Sequence, residues 1–437
     1  MEICLTASRM LETMLPEQKS DTTKTYHPSI YNQFCTTQKG DYIYNVMTRR
    51  LAKLTDKEKC LLQEAAVDGT VSAAAPLIEK RFLVEKGTDE LSHYIQLHST
   101  QELFLSAADR GINMYRILPT TGCNARCFYC FEQGVQITNM NETTADAVID
   151  YIKRTRDPQK KLHLEWFGGE PLLRTATIDK ICNALTSETI DFYSTMTTNG
   201  SLLTEALIQK AKNHWNLEKV QITLDGVGET HDRRKAYVAL QDAYKRTLQN
   251  LKALVAADIG VVVRMNMDRE NAHSIQTLCD DLKTQYCPTD RIAFDPALLF
   301  AAQKDADLQK TFYALRQQLY REGFLKVKAL GEDLPRNHCM ANSATAVTIL
   351  PDGTLTACDA GCETMYYGDI WQGITKPEVY KAWLSTKEIR EKCRTCPYLP
   401  QCTGFALCPY ENANCQAEMA DILSHRLATT VRKYEKN

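Results

Sequence analysis

The sequence has no run of 18 apolar residues, and no basic stretch leading into an apolar one opens it. The first absence argues against a membrane-spanning helix and the second against a secretory signal, so the cytoplasm is the expected location. Excess positive charge is also missing: 52 Lys and Arg stand against 54 Asp and Glu, a formal net charge of -2. That balance argues against a protein that follows a nucleic-acid backbone. With 44% hydrophobic and 24% charged residues, the composition is that of a globular chain. Its 437 residues exceed one ordinary core, so two or three domains are expected.

What the chain has in plenty is cysteine, 17 in all. Cys4, Cys35, Cys60, Cys182, Cys279 and Cys287 stand singly and read as buried or incidental thiols. The others fall in two groups, 123–130 and 339–415. Soft thiolates at close spacing read as metal or iron–sulfur ligands.

Residues 1–105 carry no clustered cysteine. They offer an extended stretch at 41–45, helical material at 55–66 and a helix-like segment before 81–84, which suits a small α+β domain, winged-helix-like in order. From Met114 strands and helices alternate. Short aliphatic or β-branched runs at 114–118, 162–167, 191–197, 219–224, 260–266 and 291–295 predict strands. The segments 143–154 and 243–256 predict helices. Repeated strand–helix units imply a parallel sheet with right-handed crossovers. The expected class is therefore α/β, a partial (β/α)6 barrel over 106–330 that is open on one side. In such barrels chemistry sits at the C-terminal strand ends, where this chain places its polar and glycine-rich motifs one after another. From 331 to 437 the alternation stops, and an irregular, cysteine-rich domain held by metal is expected.

The first motif on that rim is Cys123-Asn-Ala-Arg-Cys127-Phe-Tyr-Cys130. Three thiolates in this spacing can hold three irons of a cubane and leave the fourth open. An open position marks a catalytic rather than a purely structural site. A zinc knuckle is the competing reading, but it lacks a fourth ligand nearby.

The spacing, the following Phe131 and Gly168-Gly169-Glu170-Pro171 on the next strand resemble the radical S-adenosylmethionine (radical SAM) superfamily. The resemblance continues through Thr198-Asn199-Gly200, Ile222 to Gly226, His231-Asp232 with Arg233 and Arg234, and Val263 to Asn266, covering about 112–300. It implies that the open iron chelates S-adenosylmethionine, and that reduction of the cluster cleaves it to a 5′-deoxyadenosyl radical. It further implies that Gly168 and Gly169 meet the cofactor amino group with help from Glu170, and that Tyr129 lies against the adenine. Thr198 and Asn199 belong to the same cofactor-binding rim. Thr223 stands where relatives commonly carry serine, so a hydroxyl is retained for the ribose or carboxylate. Arg264 and Asn266 point to one side of their strand, and an inward arginine needs an anion. The cofactor carboxylate or an ordinary salt bridge would supply it. His231-Asp232 is expected to cap the next helix.

In the tail, Cys339 precedes two β-rich runs around Pro351-Asp352-Gly353, which read as a hairpin that returns Cys358 towards the start of the domain. Cys393, Cys396, Cys402, Cys408 and Cys415 follow. This order resembles the SPASM extension of peptide-modifying radical enzymes, which holds two auxiliary 4Fe–4S clusters and so implies three clusters in all. By resemblance Cys393, Cys396, Cys402 and Cys415 would hold the outer one, and Cys339, Cys358 and Cys408 the inner. The sequence departs from the full pattern, because no cysteine lies between Ala341 and Thr345. Either Cys362 completes the inner set or one iron stays open for a substrate thiolate. Zinc remains the competing reading for Cys393 and Cys396. Asp359 occupies the place of the base in sulfatase-maturing relatives, or else simply caps the hairpin.

These expectations converge on a maturase that crosslinks a ribosomally made peptide, by cysteine thioether formation of the sactipeptide or ranthipeptide type. Its partners would be a precursor peptide, whose leader the N-terminal domain binds by edge addition, and an electron donor such as a flavodoxin or ferredoxin. A sulfatase maturase making formylglycine is the alternative enzyme, and a non-catalytic iron–sulfur or peptide-binding scaffold is the alternative of another class.

Overall fold

A computed structural model describes residues 15, 18–289, 291–331, 334–336, 339–359, 363–384, 389–402 and 415–436. Cys362 and Cys408 lie outside the described residues.

Two three-stranded antiparallel sheets open the chain. The strands are β1 (Thr25–Pro28), β2 (Asn32–Thr37), β3 (Gly40–Asn45), β4 (Leu51–Lys53), β5 (Val67–Asp68) and β6 (Leu83–Glu85). Their orders are β5-β1-β6 and β2-β3-β4. The helix expected over 55–66 forms only over Asp56–Leu61. Its start is fixed by a capping box between Thr55 and Glu58. A longer helix, Glu90–Ala108, leads to the barrel.

The barrel strands are β7 (Met114–Ile117), β8 (Leu162–Trp166), β9 (Phe192–Thr198), β10 (Leu217–Thr223), β11 (Gly260–Met267) and β12 (Ile292–Leu298). All five neighbouring pairs are parallel. Alternation along each strand sorts its two faces. On β9, Phe192, Ser194, Met196 and Thr198 are buried while Tyr193, Thr195 and Thr197 are half-buried on the other face. The apolar side packs on helices such as Glu142–Thr155, whose first turn is capped by Asn141 accepting from the Thr144 N–H at 2.8 Å. Trp166, Trp215, Tyr115 and Phe294 are fully buried in that layer. The other face carries half-buried polar side chains, such as Thr195 and Thr197 on β9 and Arg264 and Asn266 on β11.

The tail departs from expectation. It is not separate from the sheet: β13 (Ala346–Ile349) pairs in parallel with β7. The hairpin then continues through β14 (Thr354–Thr356), β15 (Tyr366–Asp369) and β16 (Gly373–Ile374), making one ten-stranded sheet. An edge strand with unpaired backbone groups is a liability, and the hairpin covers the β7 edge. The last helix, Cys415–Tyr434, packs Leu423, Leu427 and Val431 into one core with Tyr42, Tyr44 and Tyr94 of the N-terminal unit. Among the singly placed cysteines, Cys182 and Cys279 are buried, Cys35 is half-buried, and Cys60 and Cys287 are exposed.

Candidate active site

The loop that leaves β7 carries the first three cysteines and is held at both ends. Thr121 N–H donates to Thr138 O at 3.0 Å, and Val238 N–H donates to Asn124 O at 2.8 Å. Cys130 N–H closes a turn on Cys127 O at 3.1 Å, and Ala125 N–H approaches Cys123 Sγ at 3.4 Å. All three thiols are half-buried. Burial pushes the Cys123 thiol up to about 11 and also raises that of Cys130. A metal bound here would have to displace those protons.

The glycine segment after β8 lies directly against this loop. Gly169 N–H donates to Thr120 O at 3.2 Å, and Glu170 N–H to Gly122 O at 2.8 Å. A Cβ on Gly168 would stand 2.3 Å from Thr120 O, and one on Gly169 2.3 Å from Gly122 O. Only glycine permits this approach, and Gly168 also has φ +109°. The amide donors here serve the chain itself, so the carbonyl oxygens are what this segment can offer an ammonium.

Glu170 is wholly buried, which differs from a carboxylate offered to a ligand. It accepts from Leu172 N–H at 3.1 Å, Thr198 Oγ1 at 2.7 Å and Asn199 N–H at 2.9 Å. Glu170 therefore ties the second loop to the third, and the Thr198 hydroxyl is engaged in that tie. Asn199 continues the lattice: its Nδ2 lies 2.7 Å from Asn124 Oδ1 and 3.9 Å from Cys123 Sγ.

Asp225 lies two residues past β10, within a motif that does not itself single it out. It is fully buried and accepts from Asn266 N–H at 3.1 Å and from the Tyr129 hydroxyl. Tyr129 thus turns inward beneath the cluster loop, where Asn266 Nδ2 also reaches its hydroxyl at 3.4 Å. Thr223 is half-buried on the last position of β10. Arg264 meets an anion of the chain: its Nη1 is 2.7 Å from Asp295 on the neighbouring β12. Of the expected capping pair, Asp232 accepts from Tyr244 N–H at 2.8 Å and so does cap the next helix. His231 does not: it is buried inside its own helix and its Nδ1 accepts from Asp225 N–H at 3.2 Å.

The second cysteine group is spread over two places. Cys393 and Cys396 both lie within electrostatic reach of Cys402 and Cys415. Tyr31 and Tyr94 of the N-terminal unit belong to the core on which Cys393 and Cys396 pack. Cys358 is half-buried against the barrel core, while Cys339 is exposed before the hairpin. Asp359 accepts from Arg116 on β7, which also holds Glu165 at 2.9 Å. That pairing ties the tail into the lumen, in place of a solvated or hairpin-capping aspartate. Glu132, which sequence reasoning passed over, has its carboxyl pushed up to about 7 by burial and by Asp359.

No three His, Cys, Asp or Glu side chains among the described residues converge on one metal ion. A cubane does not ask for that, because each thiolate binds a separate iron. The donor set at 123–130 therefore fits a 4Fe–4S cluster, and the glycine segment packed against that loop fits S-adenosylmethionine beside it.

Comparison with known proteins agrees. The pattern of the Radical SAM superfamily matches residues 117–282. The radical SAM cyclopropyl synthase TigE of Paramaledivibacter caminithermalis is 21% identical, over 89% of this chain and 87% of its own. The Fe-coproporphyrin III synthase of Methanosarcina barkeri is 28% identical, but the match spans only 40% of this chain and 41% of that protein. Among solved structures, anSMEcpe with bound AdoMet and Cp18Cys peptide aligns with a TM-score of 0.57 at 14% identity, over 74% of this chain and 99% of that one. Streptococcus suis SuiB bound to its precursor peptide SuiA aligns with a TM-score of 0.51 at 14% identity, over 87% of this chain and 95% of that one. At these identities the structures establish the fold.

Proposed function

Because residues 117–282 are a radical SAM domain, we propose that this enzyme is a maturase that crosslinks a ribosomally synthesised peptide by joining a cysteine sulfur to a peptide carbon. The observation that carries the reading is the cysteine triad at the barrel mouth, joined through one continuous sheet to a second, cysteine-bearing tail. Support for a peptide substrate comes from the fold shared with anSMEcpe and SuiB, both crystallised with peptides.

Cys123, Cys127 and Cys130 would hold the cluster. When bound, it supplies S-adenosylmethionine with one electron, which breaks a carbon–sulfur bond and leaves a 5′-deoxyadenosyl radical. The chain's own residues place the reactants. The carbonyls of Gly168 and Gly169 would accept from the cofactor ammonium, Thr223 and the remaining donors of Arg264 would serve its carboxylate, and Tyr129 would flank its adenine. Glu170 and Asn199 keep these loops in register.

Closing a thioether removes two hydrogens from the peptide. One would leave as a hydrogen atom to the deoxyadenosyl radical, giving 5′-deoxyadenosine. The other would leave as the thiol proton, and the remaining electron needs an oxidised acceptor; Cys393, Cys396, Cys402 and Cys415 would hold an iron–sulfur centre able to supply one. The N-terminal sheets would bind the leader by adding a strand.

One observation favours a second reading. The TigE relative, matched over most of its length, is named for making a cyclopropyl ring, so carbon–carbon closure is the competing chemistry. A formylglycine maturase is less well supported, because Asp359 is held in an ion pair by Arg116.

The test is anaerobic incubation of the reconstituted, reduced chain with S-adenosylmethionine and the peptide encoded beside its gene. A loss of two hydrogens with a carbon–sulfur bond supports the proposal. A carbon–carbon bond or formylglycine would replace it, and absence of deoxyadenosine would leave only a scaffold.

A further inference from the structure

A lysine ammonium buried away from water is costly unless anions surround it. Lys235 is such a group, 5% exposed at the end of the helix Glu229–Lys235. Asp225, Cys127 and Tyr237 surround it and offset the cost of its burial. Its side chain hydrogen-bonds Cys127, and its charge also acts on Cys123 and Cys130. The ammonium lies 5.9 Å from the centre of the Tyr129 ring.

The backbone fixes this placement. Ala236 adopts the left-handed conformation at φ 46° and ends the helix. The carbonyls of Lys235 and Ala236 then accept from Arg126 N–H at 2.9 and 3.2 Å. The helix end and the cysteine loop are thereby fastened together, with the lysine side chain folded inward among the thiols.

We propose that Lys235 is a positioning residue for the first cysteine triad: its ammonium, buried between Cys127 and Asp225, donates to the Cys127 thiolate and raises the reduction potential of a cluster held there. The physical reason is charge. Taking up one electron makes the thiolate-bound centre more negative, and a fixed cation beside it favours that state. Hydrogen bonds to the ligand sulfurs and the local net charge are what set such potentials. The inference rests on the reading of Cys123, Cys127 and Cys130 as cluster ligands.

The experiment is an EPR-monitored redox titration of the full, anaerobically reconstituted chain, following the signal that changes when S-adenosylmethionine is added. Lys235→Arg should keep the wild-type midpoint. Lys235→Gln and Lys235→Met should shift it to more negative potential. An unchanged midpoint in an iron-loaded Gln or Met variant overturns the inference. If neither variant holds iron, Lys235→Arg decides: it should load iron and keep the wild-type midpoint, and a lost cluster or a shifted midpoint in it overturns the inference. A wild-type chain with no signal that responds to S-adenosylmethionine would instead defeat the cluster reading itself.

Discussion

Arg116, on the first barrel strand, donates to Asp359, the residue that follows Cys358. The same guanidinium holds Glu165 on β8 and lies 5.0 Å from the Phe167 ring centre. Phe167 in turn stacks on Phe131, next to Cys130, at 6.4 Å. A packed chain of side chains therefore runs from the first cysteine loop to the second cysteine group. Its central cation is 17% exposed, and its two carboxylates are 16% and 14% exposed.

Arg116→Met should leave two nearly buried carboxylates without their cation. Breaking such a pair costs about 3–5 kcal/mol. Chemical denaturation should register a loss of that size, and iron retained by the tail should fall with it. Adding Asp359→Asn should recover part of the stability, because the uncompensated charge is removed.

Gly169→Ala should disturb the contact between the second loop and the cysteine loop. The new Cβ meets backbone rather than a flexible side chain. Overpacking of this kind costs about 1–3 kcal/mol. Realised at the cofactor, that is a loss of about fivefold to a hundredfold in affinity for S-adenosylmethionine. Equilibrium binding to the reconstituted chain measures it, with iron content as the control for loading.

His231 gives the chain a defined acid sensitivity. Burial, and secondarily Lys235, pushes its imidazole down to about 3 from the ordinary 6.5. The unfolded chain therefore binds a proton there below about 6.5, while the folded chain does not until about pH 3. Stability from this group is present above 6.5 and falls as the pH drops through that window, by about 1.4 kcal/mol per pH unit for one proton. His231→Asn should reduce the slope of unfolding free energy against pH by that amount, without reversing it.

Much of the barrel was legible because alternation is local. All six expected strands appear within a few residues of their predicted bounds, and the helix Ala243–Ala256 appears where its spacing placed it. The turn around Pro351-Asp352-Gly353 was legible for the same reason. Its docking onto β7 was not, because parallel pairing between Ala346 and Met114 leaves no mark on either segment. The strand β2, Asn-Gln-Phe-Cys-Thr-Thr, was missed because it buries no continuous apolar face. At the site, cysteine spacing and paired glycines were readable. The partners of Arg264, Arg116 and Lys235 were not, since each is met across the fold by a residue remote in sequence. The ties of Glu170 to Thr198 and Asn199 were not legible either, because a motif records identity but not which way a carboxylate turns.

The central claim is that Cys123, Cys127 and Cys130 hold the cluster that cleaves S-adenosylmethionine. The direct measurement is 5′-deoxyadenosine formed by the reduced, reconstituted chain, wild type against Cys127→Ala, with iron counted in both. The account predicts deoxyadenosine from the wild type, and from the variant only background, with about one cubane's iron missing. Undiminished deoxyadenosine from Cys127→Ala would contradict it.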